Sequence, residues 1–475
     1  MPRTKSFMGI MWSSSQRFGT MIISFISNLI LVRILTPSDF GTVGMLLFFI
    51  SISNVFIDSG FGAALIQKKN TTDKDYSSIF ILNIIVSVIL YIILSICAPL
   101  ISRFYNTPTL TSLLRVEGLV LIGNALCMVQ TNILKKKMDF KRLAYANLIG
   151  NFVGAILSII AAIGGLGVWS LVVRVLCVAY ISALLLWKVG DWRPSYYFNF
   201  KIVKDLFNFG GFMLLSTILN TVASNLQTLI IGKLFHQRIL GIYTQSMNLR
   251  NVVADSLQSV IAQVLFPDYS SLKSDKDIEL KLNKAFYIIS YYTVFLLVFL
   301  YIVAFPLIDF LYSTKWIAAA PYFKILCIGG VFYAIQDINY YVIAAKGRSR
   351  LLSNINLVKM PIYIITLIMA GLYKGIEGVL WCIVLYAIIS YILYGYYACK
   401  LINTSIRNQA ISLIKCCLIS VSSGGALFFI LNCMAIESKL LFLLIAFIVY
   451  STIFFSISMI FKVQPFYYVI NMLKR

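Results

Sequence analysis

Runs of mostly apolar residues, each about twenty long, recur from the first tens of residues to the last. At about 1.5 Å per residue, a run of that length crosses the hydrocarbon core of a bilayer as one α-helix. Nothing else in the sequence constrains the fold as tightly. Hydrophobic residues make up 60% of the chain and charged residues 12%, with a mean hydropathy of +0.89. A soluble domain carries roughly a quarter charged residues, so this chain lacks a polar coat and bilayer is its solvent.

The runs predict about fourteen spans, near 9–32, 40–62, 77–101, 110–132, 143–163, 168–187, 208–231, 240–265, 285–310, 320–344, 352–371, 377–398, 410–431 and 439–461. The expected class is therefore an all-α integral membrane protein. Met1-Pro2-Arg3 leads into a segment too long and too polar for a cleaved signal peptide, so it is expected to be the first spanning helix. Thr36-Pro37-Ser38-Asp39 reads as an N-cap, a proline at the first helical position and an acid at the third. Gly164-Gly165-Leu166-Gly167 is a turn short enough to make its flanking helices antiparallel neighbours. The longest connections, 188–207 and 266–284, are about twenty residues each and partly amphipathic. Neither holds a folded domain, so the activity is expected inside the membrane.

Charge placement sets the orientation. Of the forty Lys and Arg residues, 26 lie at the N-terminus and on every second connection, 7 on the alternate ones and 7 within spans. The positive-inside rule then puts both termini in the cytoplasm of a bacterial inner membrane protein. The net charge of +23 sits in short loops beside apolar runs, where it meets anionic membrane lipids, so nucleic acid is excluded as a partner. The Asn70-Thr71-Thr72 sequon is cytoplasmic in this orientation and is discounted. The nine cysteines show no C-x-x-C, and most lie inside apolar runs as small hydrophobes. No metal, redox chemistry or cofactor is expected, and His236 lies in a loop.

A weak repeat runs through the chain. Leu35 to Phe40-Gly41 is echoed by Leu234 to Leu240-Gly241, and Arg142-Leu143 to Asn147-Leu148 by Arg350-Leu351 to Asn356-Leu357. Gly165-Leu166-Gly167-Val168-Trp169 resembles the stretch from Gly375 to Trp381. The offsets are all roughly 200–210 residues. Six helices per repeat is an even number, which makes the repeats parallel. The expected architecture is two parallel six-helix lobes, 1–200 and 201–403, with two extra C-terminal helices in 404–475.

Polar residues inside spans mark candidate function, since a charge at bilayer depth needs water, a partner or a ligand. Span one carries Ser13, Arg17, Thr20, Ser24 and Ser27 on one helical face, and span two carries Ser51, Asn54 and Asp58. Span seven carries Asn220, Ser224 and Gln227. Span eight carries Thr244, Asn248, Asn251, Asp255 and Gln258, with Arg250 one position off that line. Spans three, nine, twelve and fourteen are nearly pure Leu, Ile, Phe and Tyr and are expected to face lipid. Hydroxyls and amides serve equally as interhelical glue or as cavity lining. Charges make poor glue, which favours a cavity for Arg17, Asp58, Arg250 and Asp255, with Arg174 of span six balanced between the two. Lys324 and Lys415 are expected to snorkel. Lys359, Arg115, Glu117 and Asp337 stay open.

The run Leu31-Val32-Arg33-Ile34-Leu35-Thr36-Pro37-Ser38-Asp39-Phe40-Gly41, then Asp58-Ser59-Gly60-Phe61-Gly62 through Gln67, resembles the N-terminal signature of Wzx-type polysaccharide flippases. Gly241 to Gln245 and Val264 to Ser270 resemble the same family. These are proteins of the MOP exporter superfamily, with a MATE-like fold. The resemblance spans nearly the whole chain, strongest over 1–270 and weaker after about 400. It implies transport of an undecaprenyl-pyrophosphate-linked oligosaccharide from the cytoplasmic to the periplasmic leaflet by alternating access, for O-antigen, lipopolysaccharide or related surface polymers. It also implies a polysaccharide polymerase and chain-length machinery as partners. Arginine suits phosphate oxygens by its planar fork, so Arg17 and Arg250 are the expected pyrophosphate contacts. Asp58, Arg174, Gln227, Asp255 and Gln258 complete the candidate substrate-binding set. Two alternatives carry different chemistry. A cation-coupled multidrug antiporter of the same fold would prefer acids and aromatics in its cleft, and Asp58 and Asp255 keep it open. A polymerase or ligase would need a sizeable outer loop, and the outer loops here are short.

Overall fold

The computed structural model describes residues 3–58, 65, 71–272, 274–432 and 438–473. Its helices are α1 (Arg3–Ile34), α2 (Pro37–Asp58), α3 (Asp73–Tyr105), α4 (Leu110–Glu117), α5 (Val120–Lys136), α6 (Phe140–Ile163), α7 (Trp169–Val189), α8 (Phe200–Leu234) and α9 (Gln237–Ser271). They continue with α10 (Asp275–Ile302), α11 (Ala304–Tyr312), α12 (Ala319–Ala345), α13 (Ser349–Leu401), α14 (Ile406–Asn432), α15 (Lys439–Ile460) and α16 (Gln464–Leu473). Among the described residues there is no strand, and 11 segments are long and apolar enough to cross a membrane. One of these, in α13, is broken at Gly375, whose φ of 63° and ψ of −155° end one arm and start another. The polar helices α8 and α9, each 35 residues, add two more of spanning length. The chain is a multi-pass membrane protein with about fourteen spans.

The chain divides into two compact units, Met1–Gly241 and Ile242–Arg475. In the first, the Thr36 cap forms as its sequence dictates. Asp39 Oδ2 accepts from the Thr36 amide at 2.9 Å and from its hydroxyl at 2.8 Å, which satisfies donors that the helix start leaves open. The glycine turn at 164–167 holds Gly165 at φ 81° and Gly167 at φ 53°. It folds α6 back on α7, and the two meet through small residues. A Cβ on Gly150 would lie 2.1 Å from Ser182 Oγ, and one on Gly154 would lie 2.6 Å from Val178 Cγ2. This Gly-x-x-x-Gly spacing brings two backbones close where lipid supplies no hydrophobic drive between helices.

A second close approach joins the starts of α2 and the helix that echoes it. A Cβ on Gly41 would lie 1.8 Å from the Gln237 carbonyl oxygen, and one on Gly241 would lie 1.8 Å from that of Pro37. The contact is reciprocal across an offset of 200 residues, the offset of the echo between Leu35–Gly41 and Leu234–Gly241. Such self-complementary pairing is what a two-fold relation between equivalent segments produces.

In the second unit, α10 starts at Asp275 rather than near residue 285, and α9 runs on to Ser271. The expected loop at 266–284 is therefore mostly helix. Several of its charges are engaged: Asp268 pairs with Lys281 and Asp275 with Lys346, while Thr404 donates to Glu279 at 2.5 Å. Hydropathy registers only the apolar part of a helix, so these polar ends were invisible to it. Likewise α8 begins at Phe200, inside the expected loop 188–207. Span four divides into α4 and α5 at Gly118–Leu119, and span nine ends at Ile302, ahead of the short α11.

Span nine is not lipid-facing. Tyr291, Val294 and Leu297 of α10 are buried. Phe295 stacks on Tyr450 at 5.2 Å and meets Phe454 at 4.7 Å, and the Tyr291 hydroxyl donates to Ser458 at 2.6 Å. The aromatic residues that suggested a lipid surface are the seat of α15. On α3, by contrast, Ile89, Ile92, Ile93 and Ile96 are exposed, as a lipid-facing span requires.

Candidate functional site

In the first unit, Arg174 of α7 turns toward α1, its Nη2 donating to the Ser24 carbonyl at 3.5 Å. Ser24 lies two turns from Arg17 on the same helical face, about 10 Å along the axis. The structure thus brings one predicted charge onto the polar stripe that carries the other. Arg17 itself is exposed, and no partner is found for it among the described residues. The rest of the stripe is less open. Thr20 donates its hydroxyl to the Gln16 carbonyl at 2.9 Å, and Ser27 is buried, its hydroxyl unpartnered among the described residues. Asn54 of α2 accepts from Asn124 of α5 at 2.8 Å, an interhelical amide bond of the gluing kind. The Asp58 side chain lies outside the described residues, as do residues 59–64 and 66–70 of the family-like signature. Gln227 is half-buried on α8.

In the second unit, Arg250 is 4% exposed, turned inward from the line of Asn248 and Asp255, both of which are exposed. Its guanidinium lies 4.7 Å from the centroid of the Tyr333 ring, and Nη2 donates to Met247 Sδ at 2.9 Å. Nε and Nη1 have no partner among the described residues. Gly330 makes room, since a Cβ there would lie 3.1 Å from Arg250 Cδ. Gln258 donates to the Tyr333 carbonyl at 2.9 Å, tying α9 to α12 beside that ring. A cation–π contact offsets only part of a guanidinium's lost hydration. Arg250 is therefore a buried cation with two donor nitrogens unpartnered among the described residues.

Sequence reasoning left Lys359 open. It is buried at the wall of a pocket of about 440 Å³ between the two arms of α13, donating to Ser390 at 2.9 Å and to the Tyr394 hydroxyl at 3.2 Å. The Tyr386 and Tyr394 rings flank its ammonium at 4.8 and 4.6 Å. A lysine beside Pro361 in an otherwise apolar run was the available signal. Lys324 stacks its ammonium over Phe305 at 4.7 Å.

Residues 30–321, more than half of the chain, match the family described as "Polysaccharide biosynthesis protein". The chain belongs to that family. It is 25% identical over 428 residues to the teichuronic acid biosynthesis protein TuaB of Bacillus subtilis, covering 89% of this chain and 88% of the relative. It is 21% identical to the lipopolysaccharide biosynthesis protein WzxC of Escherichia coli, covering 86% and 84%. Among solved structures, the lipid II flippase MurJ in an inward closed conformation shares its fold, with a TM-score of 0.75 at 16% identity over 95% of this chain and 98% of that one. An inward-facing MATE multidrug transporter of the MOP superfamily matches with a TM-score of 0.62 at 17% identity, over 81% and 94%. The family member therefore shares the fold of these solved membrane proteins.

Proposed function

We propose that this polysaccharide biosynthesis protein flips an undecaprenyl-pyrophosphate-linked oligosaccharide from the cytoplasmic to the outer leaflet of the inner membrane, by alternating access between two six-helix lobes, and is not an enzyme. The observation that carries the reading is Arg250, a buried guanidinium with two donor nitrogens unpartnered among the described residues, in a chain of this family. A pyrophosphate supplies the acceptors those donors lack, and the planar fork of arginine matches phosphate oxygens. Arg17 and Arg174, beside the α1 stripe, add positive charge for the same headgroup. Gln227, Gln258 and the neighbouring hydroxyls suit sugar, with Asp58 and Asp255 as acceptors for it. The 26-to-7 split of basic residues puts both termini in the cytoplasm, so the sugar enters on the side where it is assembled. A polymerase with its chain-length machinery takes the product on the far side. A multidrug antiporter shares the fold, but a caged guanidinium repels a cationic drug.

The test uses cells whose surface polysaccharide depends on this protein. Arg250→Ala and Arg17→Ala are each expected to abolish the polymer at normal protein levels. Arg250→Lys is expected to restore it only in part, because an ammonium keeps the charge and loses the fork. Lys324→Ala is the tolerated control. Normal export by both alanine variants would remove these arginines from the substrate path. Gradient-driven efflux of cationic dyes would put the antiporter first.

A further inference from the structure

Away from the polar stripes, the second unit holds a pocket of about 1140 Å³ among α10, α14, the end of α15 and α16. Three lysines from three elements line it: Lys284 of α10, Lys415 of α14 and Lys462 just past α15. No acidic residue is among the lining residues. The rest of the lining is largely aliphatic and aromatic, and Leu418 and Phe461 are exposed. Lys462 is held at φ 48°, in the left-handed residue that ends α15. Lys284 lies 4.0 Å from the Tyr468 ring centroid, which fastens α16 across the pocket. Lys415, expected from the sequence to snorkel, lines one cavity with two other ammoniums.

We propose that this pocket is a binding site for an anionic phospholipid, its phosphate among Lys284, Lys415 and Lys462 and its acyl chains along Leu418, Ile457 and Phe461. The chemistry divides between the two parts of such a molecule. A free phosphate has no use for a wide apolar wall, and a neutral hydrocarbon has none for three ammoniums without a counter-charge. Basic pockets between spans on the cytoplasmic side recognise acidic headgroups in this way. Lys284 and Lys462 lie at span ends that carry the basic excess, next to the leaflet where such lipids are drawn to positive charge, and Lys415 reaches the same pocket from within its span. Its occupant is a resident lipid rather than cargo, so the site stands whether or not the proposed substrate is correct.

Delipidated full-length protein in detergent is titrated separately with phosphatidylglycerol, phosphatidylcholine, inorganic phosphate and a polyprenyl phosphate. Bound lipid is read by native mass spectrometry and the unfolding midpoint by a thermal melt. Phosphatidylglycerol is expected to stay bound and raise the midpoint, with phosphatidylcholine and inorganic phosphate doing neither. The combined Lys284→Gln, Lys415→Gln and Lys462→Gln variant is expected to bind phosphatidylglycerol about a hundredfold more weakly, while the matching triple arginine variant retains it. If the triple glutamine variant does not fold, Lys415→Gln alone is read, with weakening of about fivefold expected. Unchanged affinity in the variant that folds, equal retention of phosphatidylcholine, a full shift with inorganic phosphate, or preference for the polyprenyl phosphate each overturns the proposal.

Discussion

Adding one methyl group at Gly41 tests the closest backbone approach in the first unit. The new Cβ would lie 1.8 Å from the Gln237 carbonyl oxygen, while ordinary contacts begin at 3.4 Å. The clashing atom belongs to the backbone, so no side-chain rotation relieves it, and the starts of α2 and α9 must part by roughly 1.6 Å. Overpacking of this kind costs about 1–3 kcal/mol. Gly241→Ala meets the Pro37 carbonyl at the same distance and should cost about the same. Because both glycines share one contact, the first substitution opens the space that the second needs. The double variant should then lose less than the two single losses combined. Gly425→Ala is the control: a Cβ there meets nothing within 4 Å, and alanine in a helix interior gains about 0.5–1 kcal/mol over glycine. Thermal melts of purified protein in one detergent at one scan rate are expected to rank Gly425→Ala at or above the parent and both single variants below it. Single variants that melt like the parent, or a double variant whose loss is fully additive, would refute the reciprocal contact.

Other perturbations are simpler. Asn339 and Gln409 exchange two amide hydrogen bonds at 3.0 Å, both side chains buried. Asn339→Ala strands the Gln409 amide and should destabilise by about 1–3 kcal/mol, whereas Asn339→Leu with Gln409→Met should melt much nearer the parent. Gly154→Leu is expected to part α6 from α7 and reduce the amount of folded protein in membranes, measured by solubilised monodisperse yield. Beyond the spanning part of α10, a hydrogen bond from Lys439, 2.5 Å away, holds the Asp309 carboxyl below the usual aspartate range. A depressed folded-state value contributes stability above the unfolded pKa of about 3.9, lost as pH falls through the folded one. Removal by Lys439→Met should therefore lower the melting midpoint slightly at neutral pH, with the difference closing in acid below about pH 4. A difference that grows in acid would contradict that sign.

The architecture was legible because lipid enforces it. Apolar runs gave the spans, and the cap at Thr36 and the turn at Gly164 formed where their residues directed. What the sequence hid were helix parts lying beyond the apolar core, as at the start of α10, where Asp275 and Lys281 read as loop but pair with Lys346 and Asp268. It also hid which apolar faces meet lipid and which meet protein. Phe295 and Tyr291 have the composition of a lipid surface, and only the docked α15 shows otherwise. Hydropathy scores transfer out of water and is blind to that difference.

The polar residues inside the spans sort by where their hydrogen bonds go, which spacing alone cannot say. Some are spent on their own helix, as Thr20 is on Gln16 and Ser423 on Ile419. Others are spent between helices, as in the Asn54–Asn124 and Asn339–Gln409 pairs. A passing ligand must compete with those bonds, so such groups serve structure before transport. Arg250 differs because, among the described residues, its surroundings of Met247, Gly330 and Tyr333 give Nε and Nη1 no partner. Two residues, about 200° of helical rotation, separate the exposed Asn248 amide from that buried cation. An anion can take donors of that kind without first breaking the fold, which is what the proposed pyrophosphate contact needs.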